Sequence, residues 1–219
     1  MQPKTGLRKR RELAVVIFIV SLIGFGTYGL GKRYRATHSV NPVAKIDVVA
    51  KDSKSLPDET PISPQAGYTV PADQPRSIQL PSLGVEGFIQ RIDTDSEGIL
   101  AVPSNVHVAG WYQGSVKPGQ KGLSIIDGHV QGLYQEGIFK KLAQLKIGDA
   151  VLISFGDGSS KKFETVSVQS YPVAEAGAAL FAQNALISNE LNLITCGGNY
   201  DANAKTYAER VVVVAQLVS

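Results

Sequence analysis

The single cysteine of the chain, Cys196, is a candidate catalytic nucleophile. It follows an apolar run over residues 191–195 that is typical of a strand, and it precedes Gly197 and Gly198, which predict a turn. A lone thiol has no partner for a disulfide within the chain, so it either packs as a small apolar side chain or reacts. A position at the end of a strand, beside a loop, is one where a thiol could meet a substrate, but most lone cysteines are small buried side chains, so at this point both interpretations stay open.

A cysteine nucleophile needs a proton carrier for the leaving group, and histidine titrates closest to neutral pH. His129 ends a second apolar run, residues 124–128, and precedes a glycine-containing loop, as Cys196 does. His107 lies in a polar segment that reads as a surface loop before Gly110 and Trp111. The context favours His129 as the general acid and base and leaves His107 as the second candidate.

Arg210 is the candidate for stabilising the oxyanion that forms during attack. It begins the last apolar run and follows Cys196 by fourteen residues, which is enough for a hairpin that returns beside the cysteine strand. A guanidinium is always charged and offers several donors to a carbonyl oxygen. The alternative is a charge on an exposed edge strand, which would discourage aggregation. The residues alone leave both interpretations open.

The spacing of cysteine and histidine argues against a metal centre. Zinc ligands usually come in closely spaced pairs, whereas His38, His107 and His129 lie far apart and Cys196 stands alone. The chain also lacks the Gly-x-Ser-x-Gly segment that presents a catalytic serine in many hydrolases. We therefore expect cysteine chemistry with no metal and no cofactor.

The N-terminal residues predict a membrane anchor. Five basic residues in the tail 1–12 precede an uncharged stretch of eighteen residues, 13–30, which is nearly long enough as a helix to cross a bilayer. A cleaved signal peptide is the alternative, but residues 31–35 are basic and do not form a small-residue cleavage site. The basic tail predicts a cytoplasmic N-terminus, a single pass through the cell membrane and an extracellular C-terminal part.

The rest of the chain divides into a stalk and one domain. Residues 31–75 are polar and contain six prolines, which predicts an extended stalk. Residues 76–219 contain short β-rich runs with two short helical segments, 137–145 and 176–183, which favours a mainly β barrel or sandwich. This domain carries 11 Lys and Arg against 13 Asp and Glu. Without a basic face it is not expected to bind nucleic acid.

Three segments resemble the sortases, the membrane-anchored cysteine transpeptidases of Gram-positive bacteria. Residues 193–196 (Leu-Ile-Thr-Cys) are similar to the nucleophile motif, residues 127–129 (Asp-Gly-His) to the histidine segment, and residues 207–213 to the arginine strand. The segments occur in the order found in the family, and the resemblance extends over residues 76–219.

Other segments are most similar to class F sortases. They are residues 76–85, residues 110–112 (Gly-Trp-Tyr), residues 118–119 (Pro-Gly) and the Cys-Gly-Gly at residues 196–198. Class F members often carry asparagine near the position of Arg210, whereas the Tyr-x-x-Arg spacing is similar to the other sortase classes. The class is therefore less firmly indicated than the family.

The resemblance implies a closed eight-stranded β-barrel with the active site in a groove at one end. Cys196 would attack the Thr–Gly bond of an LPXTG-like sorting signal and form a thioacyl intermediate. His129 would protonate the leaving amine and then deprotonate a cell-wall precursor amine, while Arg210 would hold the substrate backbone and the oxyanion. Ile194 and Thr195 would contribute to substrate binding.

Two alternatives to transpeptidation remain. A sortase-like hydrolase would use the same residues but pass the acyl group to water, which would release the cleaved protein. A tethered β-barrel without catalytic activity would bind a partner and keep Cys196 as a buried side chain. The reactivity of the thiol separates the second alternative from the other two.

Overall fold

The structure, a computed structural model, describes residues 57–62, 67–94, 98–204 and 206–219. These residues form a mainly β domain. Its strands are β1 (Pro75–Leu80), β2 (Val85–Ile92), β3 (Ala109–Tyr112), β4 (Gly122–Gly128), β5 (Ala150–Phe155), β6 (Ser160–Pro172), β7 (Asn189–Asp201) and β8 (Thr206–Leu217). Helix α1 (Val173–Phe181) connects β6 to β7, and short 3-10 helices lie at Pro81–Leu83 and Leu142–Gln144.

The eight strands close into a barrel in the order β1-β2-β3-β4-β7-β8-β6-β5, and β5 pairs with β1 to complete it. β2 pairs with β3 and β4 pairs with β7 in parallel, and the other pairings are antiparallel. The predicted closed eight-stranded barrel is thus confirmed. Within the described residues no helix has the length and hydropathy to cross a membrane, and the predicted span at residues 13–30 lies outside them.

The central strands β4, β7 and β8 are apolar on both faces. Their inward side chains, including Ile126, Leu193 and Val213, form the main core. Their outward side chains pack into a second cluster, the outer cluster, with residues from β2 and α1. It consists of Ile92, Leu100, Ile125, Leu180, Ile194 and Val212. Burial on both faces explains why residues 211–214 are apolar at consecutive positions, and it gives the outward face a rigid support.

The turn predicted after Cys196 is wrong. β7 continues to Asp201, and its register with β8 shifts between Gly197 and Tyr200, as in a β-bulge. Gly198 has φ 70°, a left-handed conformation that glycine adopts without strain. A Cβ on Gly197 would lie 2.8 Å from the side chain of Val211. The glycines are therefore explained by a bulge within the strand pair, which looks like a turn when only the sequence is read.

Three other elements differ from the sequence prediction. β3 is a strand that the sequence did not indicate, and it pairs with β2 and β4 inside the sheet. Of the predicted helical segment 137–145, only Leu142–Gln144 forms a short 3-10 helix, whereas α1 begins three residues before the predicted start at 176. The strand β3 and the 3-10 helix Leu142–Gln144 are short, and such elements depend on contacts with distant parts of the chain, which local patterns do not report.

Residues 57–62, which the sequence assigned to the stalk, contact the barrel. The backbone N–H of Asp58 donates to Ser104 O (2.9 Å), and the N–H of Val106 donates to Asp58 O (2.9 Å). The Glu59 carboxylate accepts the backbone N–H groups of residues 133–135 at 2.6–2.9 Å. We call residues 57–62 the strap, because they join the loop before β3 to the loop after β4.

Candidate active site

Strand register places Cys196, His129 and Arg210 in one row. Cys196 lies directly opposite Arg210 in the antiparallel β7–β8 pair. In the parallel β4–β7 pair Asp127 lies opposite Ile194. Cys196 follows Ile194 by two residues on β7, and His129 follows Asp127 by two residues, directly after β4 ends. The alternation of side chains, continued one residue past β4, puts both on the outward face. The structure thus brings together the three residues that the sequence selected for catalysis.

His129 is held by the loop that precedes β3. Its Nε2 lies 2.7 Å from the carbonyl oxygen of Pro103. A carbonyl oxygen only accepts, so Nε2 carries the hydrogen and donates it. The backbone oxygen of His129 accepts the N–H of Phe139 (3.0 Å), which fixes the chain at the same point. Because Nε2 donates this bond, Nδ1 is the ring nitrogen whose lone pair can accept a hydrogen.

Cys196 is half-buried, and its thiol is harder to ionise than a free one. Burial raises the pKa of Cys196, and the nearby Asp127 carboxylate raises it further, while the Arg210 guanidinium opposes both effects. The protonated thiol therefore predominates at neutral pH. Attack on a substrate requires transfer of this proton to a base, and His129 lies in the same row.

Arg210 is buried in the middle of the sheet. Only 2% of its surface is exposed, and β8 pairs with β6 on one side and β7 on the other. Its Nη1 donates to Tyr207 O (3.1 Å) and Glu209 O (2.8 Å), and its Nη2 donates to Thr206 Oγ1 (3.4 Å). The alternative of a charge on an exposed edge strand is therefore wrong. The bonds to backbone oxygens hold a positive group beside Cys196.

His107 lies in a different environment. The ring Nε2 of His107 is 3.2 Å from the backbone oxygen of Glu59 in the strap, and the backbone N–H of His107 donates to Asn105 Oδ1 (2.8 Å). It lines a surface cavity together with Arg76, Glu86 and others, away from the row that contains Cys196. The structure therefore places His129, and not His107, beside the candidate nucleophile.

The sortase domain family matches residues 78–218, well over half of the chain. The chain belongs to the sortase family. It is an enzyme, a cysteine transpeptidase, and sortases in general act on sorting-signal proteins and join them to cell-wall acceptors.

Solved sortase structures share the fold of this sortase. A lid mutant of sortase A from Corynebacterium diphtheriae is 24% identical, with 71% of this chain and 74% of that chain covered and a TM-score of 0.52. A mutant of sortase C-1 from S. pneumoniae is 16% identical, with 83% of this chain and 82% of that chain covered and a TM-score of 0.54. Sortase E1 from Streptomyces coelicolor, solved with a tripeptide in the active site, is 17% identical, covers 69% and 92%, and has a TM-score of 0.52. A comparison with curated protein sequences gives no match.

In this sortase the two residues expected to bind substrate are themselves packed inside the protein. Thr195 is 2% exposed, and its hydroxyl donates to Gly128 O at 2.7 Å, directly before His129. Ile194 is 1% exposed within the outer cluster. The hydrogen bond of Thr195 joins the end of β4 to β7, so it fixes the distance between the histidine segment and the cysteine strand.

Asp127 is a site residue that the sequence showed only as part of a motif. Its Oδ1 accepts the N–H of Gly128 (2.7 Å). Burial raises the pKa of Asp127 to about 6, although His129, the Gly128 N–H and Arg210 all favour the carboxylate. The spacing of two between Asp127 and His129 on one strand was the available signal, because such residues share a face.

Proposed function

We propose that this sortase cleaves LPXTG-like sorting signals between threonine and glycine and transfers the threonine acyl group to a cell-wall amine. The observation that supports this proposal is the row formed by His129, Cys196 and Arg210 across β4, β7 and β8. A nucleophile, a proton carrier and a cationic donor are the three groups that acyl transfer through a thioester requires.

In the first half of the reaction His129 takes the proton from Cys196, and Sγ attacks the threonine carbonyl carbon. Arg210 stabilises the negative oxygen of the tetrahedral intermediate, since its guanidinium is held beside Cys196. The C–N bond to glycine then breaks, and the His129 imidazolium donates its proton to the departing amine. The product is a thioester on Cys196.

In the second half an acceptor amine loses a proton to His129 and attacks the thioester carbonyl. The new amide bond forms as the C–S bond breaks, and the thiolate of Cys196 recovers its proton from the imidazolium. Because burial and Asp127 raise the pKa of the thiol, the reactive thiolate–imidazolium pair is a minor form of the resting enzyme. We expect a bell-shaped dependence of kcat/KM on pH, as is usual for such a pair.

The decisive experiment compares wild type with Cys196→Ala and Cys196→Ser on a fluorogenic LPXTG peptide. Wild type should cleave the peptide after threonine and form an acyl adduct of Cys196 that mass spectrometry detects. Both variants should lose activity by at least about a thousandfold, since no other group replaces the thiol. Cleavage that persists in Cys196→Ala would contradict the proposal.

The acceptor is tested in the same assay by adding a short amine, such as a glycine peptide. Transfer predicts a ligated product whose amount increases with amine concentration while the hydrolysed product decreases. A product that is hydrolysed at every amine concentration would instead support the hydrolase, which uses the same residues and water as acceptor.

We further propose that residues 13–30 anchor the enzyme in the cell membrane with the catalytic domain outside, and that it is a class F sortase. The basic tail before this span and the uncharged length of eighteen residues support the anchor. An enzyme and a substrate that are both tethered to one membrane meet at a raised effective concentration. Protease added to intact cells should digest residues 76–219, and recovery of the whole domain in the cytosol would contradict this location.

The class is supported by residues 76–85, 110–112 and 196–198, which are similar to class F segments. If the class assignment holds, Arg210 is the unusual position, and Arg210→Asn should retain more activity than Arg210→Ala. Equal loss in the two variants would favour another sortase class.

A further inference from the structure

We propose that Asp127 is a positioning residue of the active site, whose carboxylate stabilises the His129 imidazolium and governs the charge of the Cys196–His129 pair. This inference rests on the proposed roles of Cys196 and His129. It gives a function to a side chain that lies outside the nucleophile, the proton carrier and the oxyanion donor.

The residues directly opposite Asp127 on the two neighbouring strands offer its carboxylate no polar side chain. It lies opposite Ile194 on β7 and opposite Gly110 on β3. A Cβ at Gly110 would lie 2.7 Å from the Ile92 side chain, so Ile92 covers that position. On its own strand Ile125 belongs to the same outer cluster. Asp127 is only partly exposed among these apolar neighbours, which makes ionisation of its carboxylate costly.

The charged and titratable groups that interact with Asp127 all belong to the catalytic row. Among the described residues they are His129 on its own strand, Cys196 on β7 and Arg210 on β8. Within the described chain, the neighbouring elements add no charged group at this level: on β3, Gly110 lies opposite Asp127 and Tyr112 follows two residues later. Helix α1 contributes the apolar Leu180 to the outer cluster. Register supports this grouping: Asp127 lies two residues before His129 and opposite Ile194, which is itself two residues before Cys196, and Cys196 pairs with Arg210.

An ionised Asp127 favours a positive charge on His129 and disfavours a negative charge on Cys196. It therefore helps His129 to keep the proton that the leaving amine needs, and it restrains premature ionisation of the thiol. Since the pKa of Asp127 is about 6, this effect is present at neutral pH and fades in acid.

The test measures alkylation of Cys196 in the full chain by iodoacetamide, a neutral reagent, from pH 5 to pH 9. Asp127→Asn removes the charge but retains an oxygen that can accept the Gly128 N–H. Cys196 of the variant should react about two- to fivefold faster than wild type at pH 8, because loss of a nearby negative charge raises the thiolate fraction. The difference should shrink below about pH 6, where Asp127 of the wild type becomes neutral.

Asp93→Asn is the matched control. Asp93 also accepts the N–H of the next residue (Thr94, 2.8 Å), but it is exposed at the end of β2. Its alkylation profile should equal that of wild type. Equal rates for Asp127→Asn and wild type at pH 8 would overturn the proposal. So would an increase of the same size at pH 5 and pH 8, which indicates a more exposed thiol and not a lost charge.

Two further readouts keep the inference testable if Asp127→Asn folds poorly or if peptide cleavage fails. In wild type alone, the logarithm of the alkylation rate should rise less steeply with pH near about pH 6, where Asp127 gains its charge; a uniform slope overturns the inference. Alkylation needs no turnover, so it is independent of the proposed function. Where cleavage is measurable, Asp127→Asn should move both limbs of the kcat/KM profile to lower pH.

Discussion

Two regions of the barrel contain the same residue types in different arrangements. The row region contains His129, Arg210 and Asp127 around Cys196, and the strap region contains His107, Arg76 and Glu59. Both histidines use Nε2 to contact a backbone oxygen, at 2.7 Å and 3.2 Å.

The difference between the two regions lies in the neighbours that strand pairing supplies. In the row region, three strands at one level bring a thiol between an imidazole and a guanidinium. In the strap region, the histidine, arginine and glutamate mainly contact backbone groups of connecting segments. Residue type alone therefore does not separate the two histidines, whereas strand register does, because only His129 follows a strand that pairs with the cysteine strand.

Exchange of each histidine gives the largest expected contrast. His129→Gln should lower kcat/KM for an LPXTG peptide by about a thousandfold or more, because the proton carrier is lost. His107→Gln should stay within about twofold of wild type. Steady-state kinetics at pH 7 measures both, and similar losses in the two variants would remove the distinction between the regions.

The two arginines give the next contrast. Arg210→Lys retains the charge but loses the planar set of donors, so kcat/KM should fall by about tenfold to a hundredfold. Arg76, whose Nε donates to Tyr68 O at 3.0 Å, should tolerate Arg76→Lys with nearly unchanged kinetics. A larger loss in Arg76→Lys than in Arg210→Lys would place the oxyanion site elsewhere.

The two carboxylates should affect stability in opposite directions. The pKa of Asp127 is raised from 3.8 to about 6, so its ionisation opposes folding above that pH. Burial also acts to raise the pKa of Glu59, but the N–H groups of residues 133–135 and the charge of His107 lower it overall. An ionised Glu59 therefore supports folding, and this support is lost as the pH falls through its lowered pKa.

Urea unfolding tests this contrast. At pH 8, Asp127→Asn should raise the free energy of unfolding by about 1–3 kcal/mol, whereas Glu59→Gln should lower it. Both differences should diminish in acid: the one at Asp127 as the pH falls below about 6 toward its unfolded value of 3.8, and the one at Glu59 as the pH falls through its lowered pKa. A stabilising Glu59→Gln or a destabilising Asp127→Asn at pH 8 would contradict the opposite signs.

The smallest expected effect is on stability and concerns the hydrogen bond from Thr195 on β7 to Gly128 O at the end of β4. Thr195→Val should lower the free energy of unfolding by about 1–2 kcal/mol, because Gly128 O loses its buried donor. Thr165→Val is the control, since Thr165 Oγ1 is buried and has no hydrogen-bond partner among the described residues. We expect that control to be neutral or stabilising. If both variants lose the same free energy of unfolding, the loss comes from replacing a buried hydroxyl and not from the hydrogen bond between Thr195 and Gly128 O.

Apolar runs predicted a mainly β barrel or sandwich, and the resemblance to sortases supplied the closed eight-stranded barrel that the structure has. The roles expected of Cys196, His129 and Arg210 remain predictions, and strand register brings the three residues into one row. The sequence did not predict β3, whose four residues become a strand only by pairing with β2 and β4. The bulge at Gly197 and Gly198 looked like a turn for the same reason, since register with β8 is not visible in a local pattern. Asp127 was overlooked because its importance depends on partners from β7 and β8.

The bulge at Gly197 to Tyr200 also divides the β7–β8 hairpin into two parts. On one side Cys196 and Arg210 keep a fixed pairing, and on the other side Tyr200 pairs with Tyr207 before the hairpin tip. A change of one residue at the hairpin tip would otherwise shift the register of β7 on β8 and turn Arg210 toward the core. A bulge takes up such a shift, so Arg210 can keep its place opposite Cys196. The hairpin tip is therefore the natural place to graft recognition loops onto this enzyme while its catalytic row is left intact.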